Sequence, residues 1–495
     1  PAFLKVINAV LVVSRCAEDL TFPPGFLFGA ASAAYQVEGG WNASDKGESI
    51  WDRYTHEGPE RISDLSNGDV ACDSYHLWRR DIEIAEELGI DFYRFSIAWT
   101  RLLPNGFANY ISEDGKNYYN NLIDGLLAKG IEPFITLYHW DLPQNLQDLG
   151  GWANPQTADW FADYARVAFS LYGDRVKWWL TINEPLIICE QPYNAGTLAP
   201  GLLSPEVGAY LCNKNTILAH AKAWRVYDTE FRHKYHGKVS LANHLTWYAP
   251  LTESDAELAE LGGRYSHPIY SKLGGWPPSI ERLFEDLSAR RGYPRSTLPA
   301  FTQAEVELVR GTYDFYAMNH YTSRLIRPAR EGETFRPWPL GDSIDLNAVT
   351  ERHPSWATTD SSWFYVNPEG IRQQLVWLKQ QYGDIEFVIT ENGLSTGESL
   401  HPCFLKQNPL CLQVLLAIKE DGVNVTGYTA WTLMDNFEWA DGYLAKFGLY
   451  EVDYTHPMKT RTPRLSAEFY KKTIVYRLPV RYLNMKDLMD SLLFN

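Results

Sequence analysis

Eight times along this chain a short apolar run, rich in aromatic and β-branched residues, stops at a turn signal and gives way to a longer stretch with helical spacing. The runs are "FLFGAAS" from Phe26, "FYRFSIAW" from Phe92, "PFITLYHW" from Pro133, "KWWLTIN" from Lys177, "KVSLANHL" from Lys238, "FYAMNHY" from Phe315, "EFVITEN" from Glu386 and "GYTAWTL" from Gly427. Between them lie segments such as "NYYNNLIDGLLAKGI" and "ADWFADYARVAFSLYGDRV", whose apolar residues recur every three or four positions and which end near Gly. Continuous apolar strands alternating with amphipathic helices specify a parallel sheet with crossover helices. Eight such units close into a single-domain (β/α)8 TIM barrel of the α/β class, with extended loops at the C-terminal face. No repeat, low-complexity tract or linker interrupts the pattern. The stretch from Arg327 to Trp363 reads as one extended loop over the barrel mouth.

Composition narrows the partners. A formal charge of -16, with no run of five or more basic residues, disfavours nucleic acid and anionic membrane surfaces. A neutral or cationic small molecule fits better. Of the six cysteines, Cys16, Cys72, Cys189, Cys212, Cys403 and Cys411, none forms a CxxC pair, so neither zinc nor a disulfide scaffold is indicated; Cys189 and Cys212 are candidates to pair if the chain is secreted. Residues 1–17, with Lys5 ahead of an apolar stretch and small residues near Ala17, read as a signal-peptide remnant too short to span a bilayer, leaving 18–495 as the catalytic domain. The expected location is secreted or lumenal, and cytoplasmic if that segment is not a signal. Two sequons, at Asn42 and Asn424, are then glycosylation sites. No cofactor, metal or integral membrane segment is expected. The sequence selects no oligomeric state, and a dimer is compatible with it.

In a (β/α)8 barrel the strand interiors are packed and the C-terminal strand ends carry the chemistry. Those ends supply Gln36, Arg94, His139, Asn183 with Glu184, Asn319 with Tyr321, Glu391, Trp431, and Glu438 with Trp439. Acids and amides that bond hydroxyls, beside tryptophans that stack on C–H faces, describe a sugar site. Glu184 ends the fourth strand and Glu391 the seventh. Placed across the barrel they can flank one glycosidic bond, one donating a proton and the other attacking, with a separation on the order of 5 Å for retention of configuration and more for inversion.

These residues resemble the family-one glycoside hydrolases, the retaining β-glucosidases, and most of all their insect members. The marks are "FPPGFLFGAASAAYQVEGGW", "YRFSIAWTRLLP", "TLYHWDLPQ", "TINEP", "MNHYTS", "ITENG" and "WTLMDNFEW", colinear from about Phe22 to Tyr476. The resemblance implies that Glu184 is the acid/base and Glu391 the nucleophile. It assigns Gln36, His139, Asn183, Glu438 and Trp439 to the glycone hydroxyls, with Trp431 as stacking platform. Arg94, Asn319 and Tyr321 position and tune the nucleophile, and Trp363 faces the aglycone.

One segment departs from the family. Residues 399–413, within "LHPCFLKQNPLCLQVLLAIK", lack the usual acidic start of the seventh crossover helix, and Pro402 and Pro409 each break or restart a helix. The functional expectation is a retaining β-glycosidase acting on β-glucosides, with β-galactosides also open. A thioglucosidase is the enzymatic alternative, and a klotho-like binding protein is the alternative of another class. Glu438 and Trp439 suit a free hydroxymethyl arm better than a phosphate.

Overall fold

The structure is a computed structural model, and it describes residues 21–205, 207–250, 265–333, 348–359, 361, 363–395 and 409–478. Eight parallel strands close a barrel: β1 (Leu27–Ala31), β2 (Phe92–Ser96), β3 (Glu132–Tyr138), β4 (Trp178–Asn183), β5 (Lys238–His244), β6 (Tyr316–Asn319), β7 (Phe387–Asn392) and β8 (Val425–Trp431). They follow one another round the ring in chain order, and β8 closes on β1 with Ala31 beside Trp431. Each of the eight runs contributes one of them. β4 and β7 are separated by β5 and β6 on one side, so they are not diametrically opposed.

The strands hold this shape because they are apolar on both faces. Phe92, Phe134, Leu180, Ala242, Phe315, Ala317 and Val388 form one buried cluster, fed by four different pairs of neighbouring strands. Their neighbours Tyr93, Phe95, Ile135, Trp179 and Val239 belong to the larger cluster shared with the helices. The helix Glu113–Ala128 illustrates the outer layer. Ser112 accepts a hydrogen bond from the backbone N–H of Gly115 at its start, Tyr118, Tyr119, Leu122, Ile123 and Leu126 are buried, and Gly130 follows its end at φ +71.

Two sequence expectations change. The stretch from Arg327 to Trp363 is not a plain loop in its described parts. Ser323–Pro328 pairs with both Trp247–Pro250 and Ala348–Glu351 in a three-stranded sheet, and Ala357–Thr358 pairs with Tyr365–Val366. The reason is local: "SRLIRP" and "AVTE" carry adjacent aliphatic and β-branched residues, Leu325 with Ile326 and Val349 with Thr350, which favour extended backbone. In the atypical seventh crossover, Pro409 opens the helix Pro409–Lys419, a first-turn position that does not need its missing N–H. Pro402 and Cys403 lie outside the described residues, as do Cys16 and the 1–17 segment. Cys189 and Cys212 form a disulfide, while Cys72 and Cys411 are buried. Asn42 and Asn424 are both exposed. Among the described residues no helix is long and apolar enough to cross a membrane.

Candidate active site

At the C-terminal ends of the strands the barrel opens into a cavity of about 440 Å³, within the range of small-molecule sites. Glu184, Glu391, His139, Tyr321, Trp363, Trp431, Glu438 and Trp439 line it, so eight of the residues chosen from the sequence meet in one place. The other four, Gln36, Arg94, Asn183 and Asn319, are buried to within 1% and hold the lining groups from behind.

Glu391 ends β7 beside Asn319 of β6. Both of its oxygens are engaged: Arg94 Nη1 donates to Oε1 at 2.8 Å, and the Tyr321 hydroxyl donates to Oε2 at 2.6 Å. Arg94 is itself engaged through all three nitrogens, donating through Nε to Thr136 Oγ1, through Nη1 also to the Thr390 carbonyl, and through Nη2 to Asn183 Oδ1. Burial lifts Glu391 from the ordinary carboxylate range to about 7; Arg94 opposes that lift and the neighbouring Glu184 adds to it. Burial, reinforced by Glu391, raises Tyr321 well above 10, so its hydroxyl stays a donor. The Gly393 that follows has no room for a side chain, since a Cβ there would run into the Trp431 carbonyl oxygen.

Glu184 ends β4 at φ +55, a left-handed conformation uncommon for a residue with a Cβ, and Pro185 then starts the helix Pro185–Cys189. Trp140 and Trp439, also on the cavity wall, share a positive φ. Such local strain, on the order of 1–3 kcal/mol per residue, persists where the surrounding fold fixes it and concentrates at working sites. Asn319 Nδ2 donates to Glu184 Oε1 at 2.8 Å and to Asn183 Oδ1 at 3.0 Å. A continuous chain of bonds thus runs from Glu391 through Arg94, Asn183 and Asn319 to Glu184.

Asn183 takes two donors on Oδ1, so its amide nitrogen is the donor to His139 Nε2 at 3.1 Å. That fixes the proton of His139 on Nδ1. Burial, with Arg94 nearby, pushes this imidazole well below 6.5, so it is neutral. Its ring lies 5.6 Å from Trp431, near-parallel. Gln36 donates through Nε2 to Asn436 Oδ1, the Phe437 carbonyl and Glu438 Oε2, tying the loop after β8 to β1. Burial, with Asp441 and Glu391 adding to it, lifts Glu438 well above the usual carboxylate value. Trp363 is half-buried, its ring 5.9 Å from Tyr321 and its carbonyl held by Arg324.

Ten wall residues were not chosen from the sequence. Trp140 donates through Nε1 to the Asn183 carbonyl, and its ring is 4.6 Å from Trp439. Ile187, Gln191, Ala195, Thr197 and Leu198 belong to the segment after Glu184; Ala440, Asp441 and Phe447 follow β8. His244 ends β5. The strand-end rule applied to "LANHL" would have found it.

A model of glycosyl hydrolase family 1 matches residues 18–477. The chain belongs to glycosyl hydrolase family 1. It is 42% identical over 470 residues to Myrosinase 1 of Brevicoryne brassicae, covering 92% of this chain and 99% of that protein. It is 40% identical over 471 residues to the cytosolic beta-glucosidase of Homo sapiens, covering 92% and 98%. The solved structure of aphid myrosinase superposes with a TM-score of 0.88 at 42% identity, covering 93% of this chain and 100% of that one. As a member of the family, the protein is a retaining β-glycosidase, an O-glycosyl hydrolase acting on small-molecule glycosides through a glycosyl-enzyme.

Proposed function

We propose that the protein hydrolyses β-glucosides with uncharged aglycones, with Glu391 as nucleophile and Glu184 as acid/base. The observation that carries this reading is the unequal hydrogen bonding of the two carboxyl groups. Glu391 receives a guanidinium N–H and a phenol O–H, one on each oxygen, so negative charge is best held there. Glu184 receives donors on Oε1, which leaves Oε2 to carry a proton into the cavity.

In the first step Glu391 forms a bond to the anomeric carbon as the bond to the leaving oxygen breaks and Glu184 gives that oxygen its proton. Esterification removes the charge on Glu391. Glu184, now ionised, accepts a proton from the water that attacks the same carbon, and the ester bond to Glu391 breaks. Trp431 stacks on the sugar. His139, Asn183, Glu438 and Trp439 bond its hydroxyls, together with Gln36, whose Oε1 is buried with no partner among the described residues. Asn319, Arg94 and Tyr321 hold the two acids. Trp363, with Ile187, Leu198 and Phe447, forms an apolar wall for the aglycone.

The likeness to Myrosinase 1 favours a thioglucosidase as the second reading. The wall weighs against an anionic leaving group: its aglycone side is apolar, and no Lys or Arg lines it among the described residues. The Cys189–Cys212 disulfide and the exposed Asn42 and Asn424 support a secreted or lumenal glycoprotein. The decisive test is Glu391→Ala. It should abolish turnover, and azide should restore it with an inverted glycosyl azide as product. Wild-type turnover in that variant would sink the assignment.

A further inference from the structure

His244 sits at the end of β5, 6% exposed, with its ring near-parallel to Tyr321 at 6.4 Å. Its place follows from the register: Asn319 of β6 is flanked by His244 of β5 on one side and by Glu391 of β7 on the other. His244 Nδ1 lies 3.3 Å from Glu184 Oε1, and Nε2 lies 3.3 Å from Thr246 Oγ1.

The surrounding bonds settle which way the protons point. Thr390 Oγ1 donates to Asn319 Oδ1 at 2.7 Å, so the Asn319 nitrogen faces Glu184 and donates to Oε1. A carbonyl oxygen accepts better than a hydroxyl oxygen, so the accepting Oε1 is the carbonyl oxygen of the acid and the proton belongs on Oε2. His244 Nδ1–H then also donates to Oε1, while Nε2 is bonded to Thr246 Oγ1.

We propose that His244 is a positioning residue for the acid/base: with Asn319 it clamps Glu184 Oε1 and so confines the transferable proton to Oε2, the oxygen turned to the glycosidic bond. The proposal rests on the reading of Glu184 as acid/base. When Oε2–H breaks and its proton passes to the leaving oxygen, the charge that develops on Glu184 is met by two N–H donors already in place. When Oε2 later takes a proton from water, the same clamp presents the same oxygen. The 3.3 Å contact is long, as such contacts often are before substrate closes the site. The charged and titratable groups around the pair are Glu391 on β7, Arg94 on β2 behind Asn183, and Tyr321 and His320 after β6.

The test uses leaving groups that differ in their need for a proton. His244→Phe keeps a flat ring but no donor. His244→Asn places an amide N–H near Nδ1, and His244→Gln places one near Nε2, out of reach of Glu184. Phe and Gln should lower kcat/KM for an alkyl β-glucoside about tenfold, the scale of a lost donor in acid catalysis, yet less than about twofold for 2,4-dinitrophenyl β-glucoside, which leaves unaided. They should also move the alkaline limb up by about half a pH unit, since losing a donor to the carboxylate favours its protonated form. Asn should restore both readouts. Equal losses on the two glucosides with an unmoved limb, or an Asn variant no better than Gln, would overturn the proposal. The Asn and Gln pair decides it without the Phe variant if that chain does not fold. Wild-type turnover of both glucosides, run alongside, reports on the β-glucosidase reading itself.

Discussion

Tyr321→Phe isolates one hydrogen bond. The phenol donates to Glu391 Oε2 at 2.6 Å, a short charge-assisted contact, while the ring packs against Trp363, Phe364, Phe447 and His244. Phenylalanine keeps the ring and deletes the donor. A hydrogen bond to a charged group is worth about 1.5–3 kcal/mol, or roughly one to two pKa units at 1.36 kcal/mol each. The sign follows from which form is bonded. The hydroxyl favours ionised Glu391 and holds down a carboxyl that burial has lifted to about 7. Its loss lifts Glu391 further, so the ionised nucleophile is depleted as pH falls through a higher value. The acid limb of kcat/KM for an aryl β-glucoside should therefore move up by about one unit, and at pH 6 the variant should be about tenfold slower from titration alone. Above pH 8 the gap should narrow to whatever orientation the hydroxyl also supplied. A limb that stays within about 0.3 unit of wild type, or moves down, would refute both the magnitude and the placing of charge on Glu391.

Aglycone charge gives the second prediction. With an apolar aglycone wall that carries no Lys or Arg among the described residues, a sulfonated or carboxylated aryl β-glucoside should show kcat/KM at least about tenfold below its neutral parent, and glucosinolates should fall on the slow side. Equal rates would favour the thioglucosidase reading. For the disulfide, Cys189 and Cys212 are 23 residues apart, and opening a loop of that length costs about 3 kcal/mol by chain entropy. The Cys189→Ser, Cys212→Ser double variant should unfold at correspondingly lower urea, and an unchanged midpoint would show that the pair is not closed. For the sequons, protein from a secreting eukaryotic host should lose mass with peptide N-glycosidase at both Asn42 and Asn424, and each Asn→Gln change should remove one glycan.

The barrel was legible because its signal is redundant: each strand is apolar on both faces and each crossover helix has one apolar stripe, so eight repeats of the alternation leave little freedom in topology. The two carboxyl groups were legible because a strand that is apolar up to Thr181 and Ile182, or Val388 and Ile389, places the next polar residues at the mouth. What the sequence hid depends on tertiary fit. Ile187 and Gln191 reach the cavity from a helix that passes into a π-helical turn at Glu190–Ala195, and Leu198 from the bend that follows, so no periodicity in "LIICEQPYNAGTL" marks the face they present. Trp140 turns inward through a φ of +77, which nothing in "HWDLP" requires. Nothing near Gln36 in the sequence shows that its amide nitrogen also ties down the Asn436–Glu438 loop, a contact between residues 400 apart. The sheet inside the stretch after Arg327 was obscured by its prolines and tryptophans.

Arg94 shows how closely fold and chemistry are joined here. A guanidinium with 1% exposure in the middle of a barrel strand is tolerable only if its donors are satisfied, and it meets acceptors from β3, β4 and β7 through Thr136, Asn183, Thr390 and Glu391. Three of those four acceptors are uncharged, so the balancing charge has to come from Glu391. The carboxylate satisfies the buried cation, and the cation in turn opposes the lift that burial gives the carboxylate. Lysine would keep the charge but lose the planar fork, and with it the simultaneous hold on Asn183 and Glu391. Asn183 would then no longer be oriented to donate to His139, nor Asn319 braced against Glu184. The residue that ties the barrel top together is thus the same one that bonds Glu391 directly and, through two amides, braces Glu184.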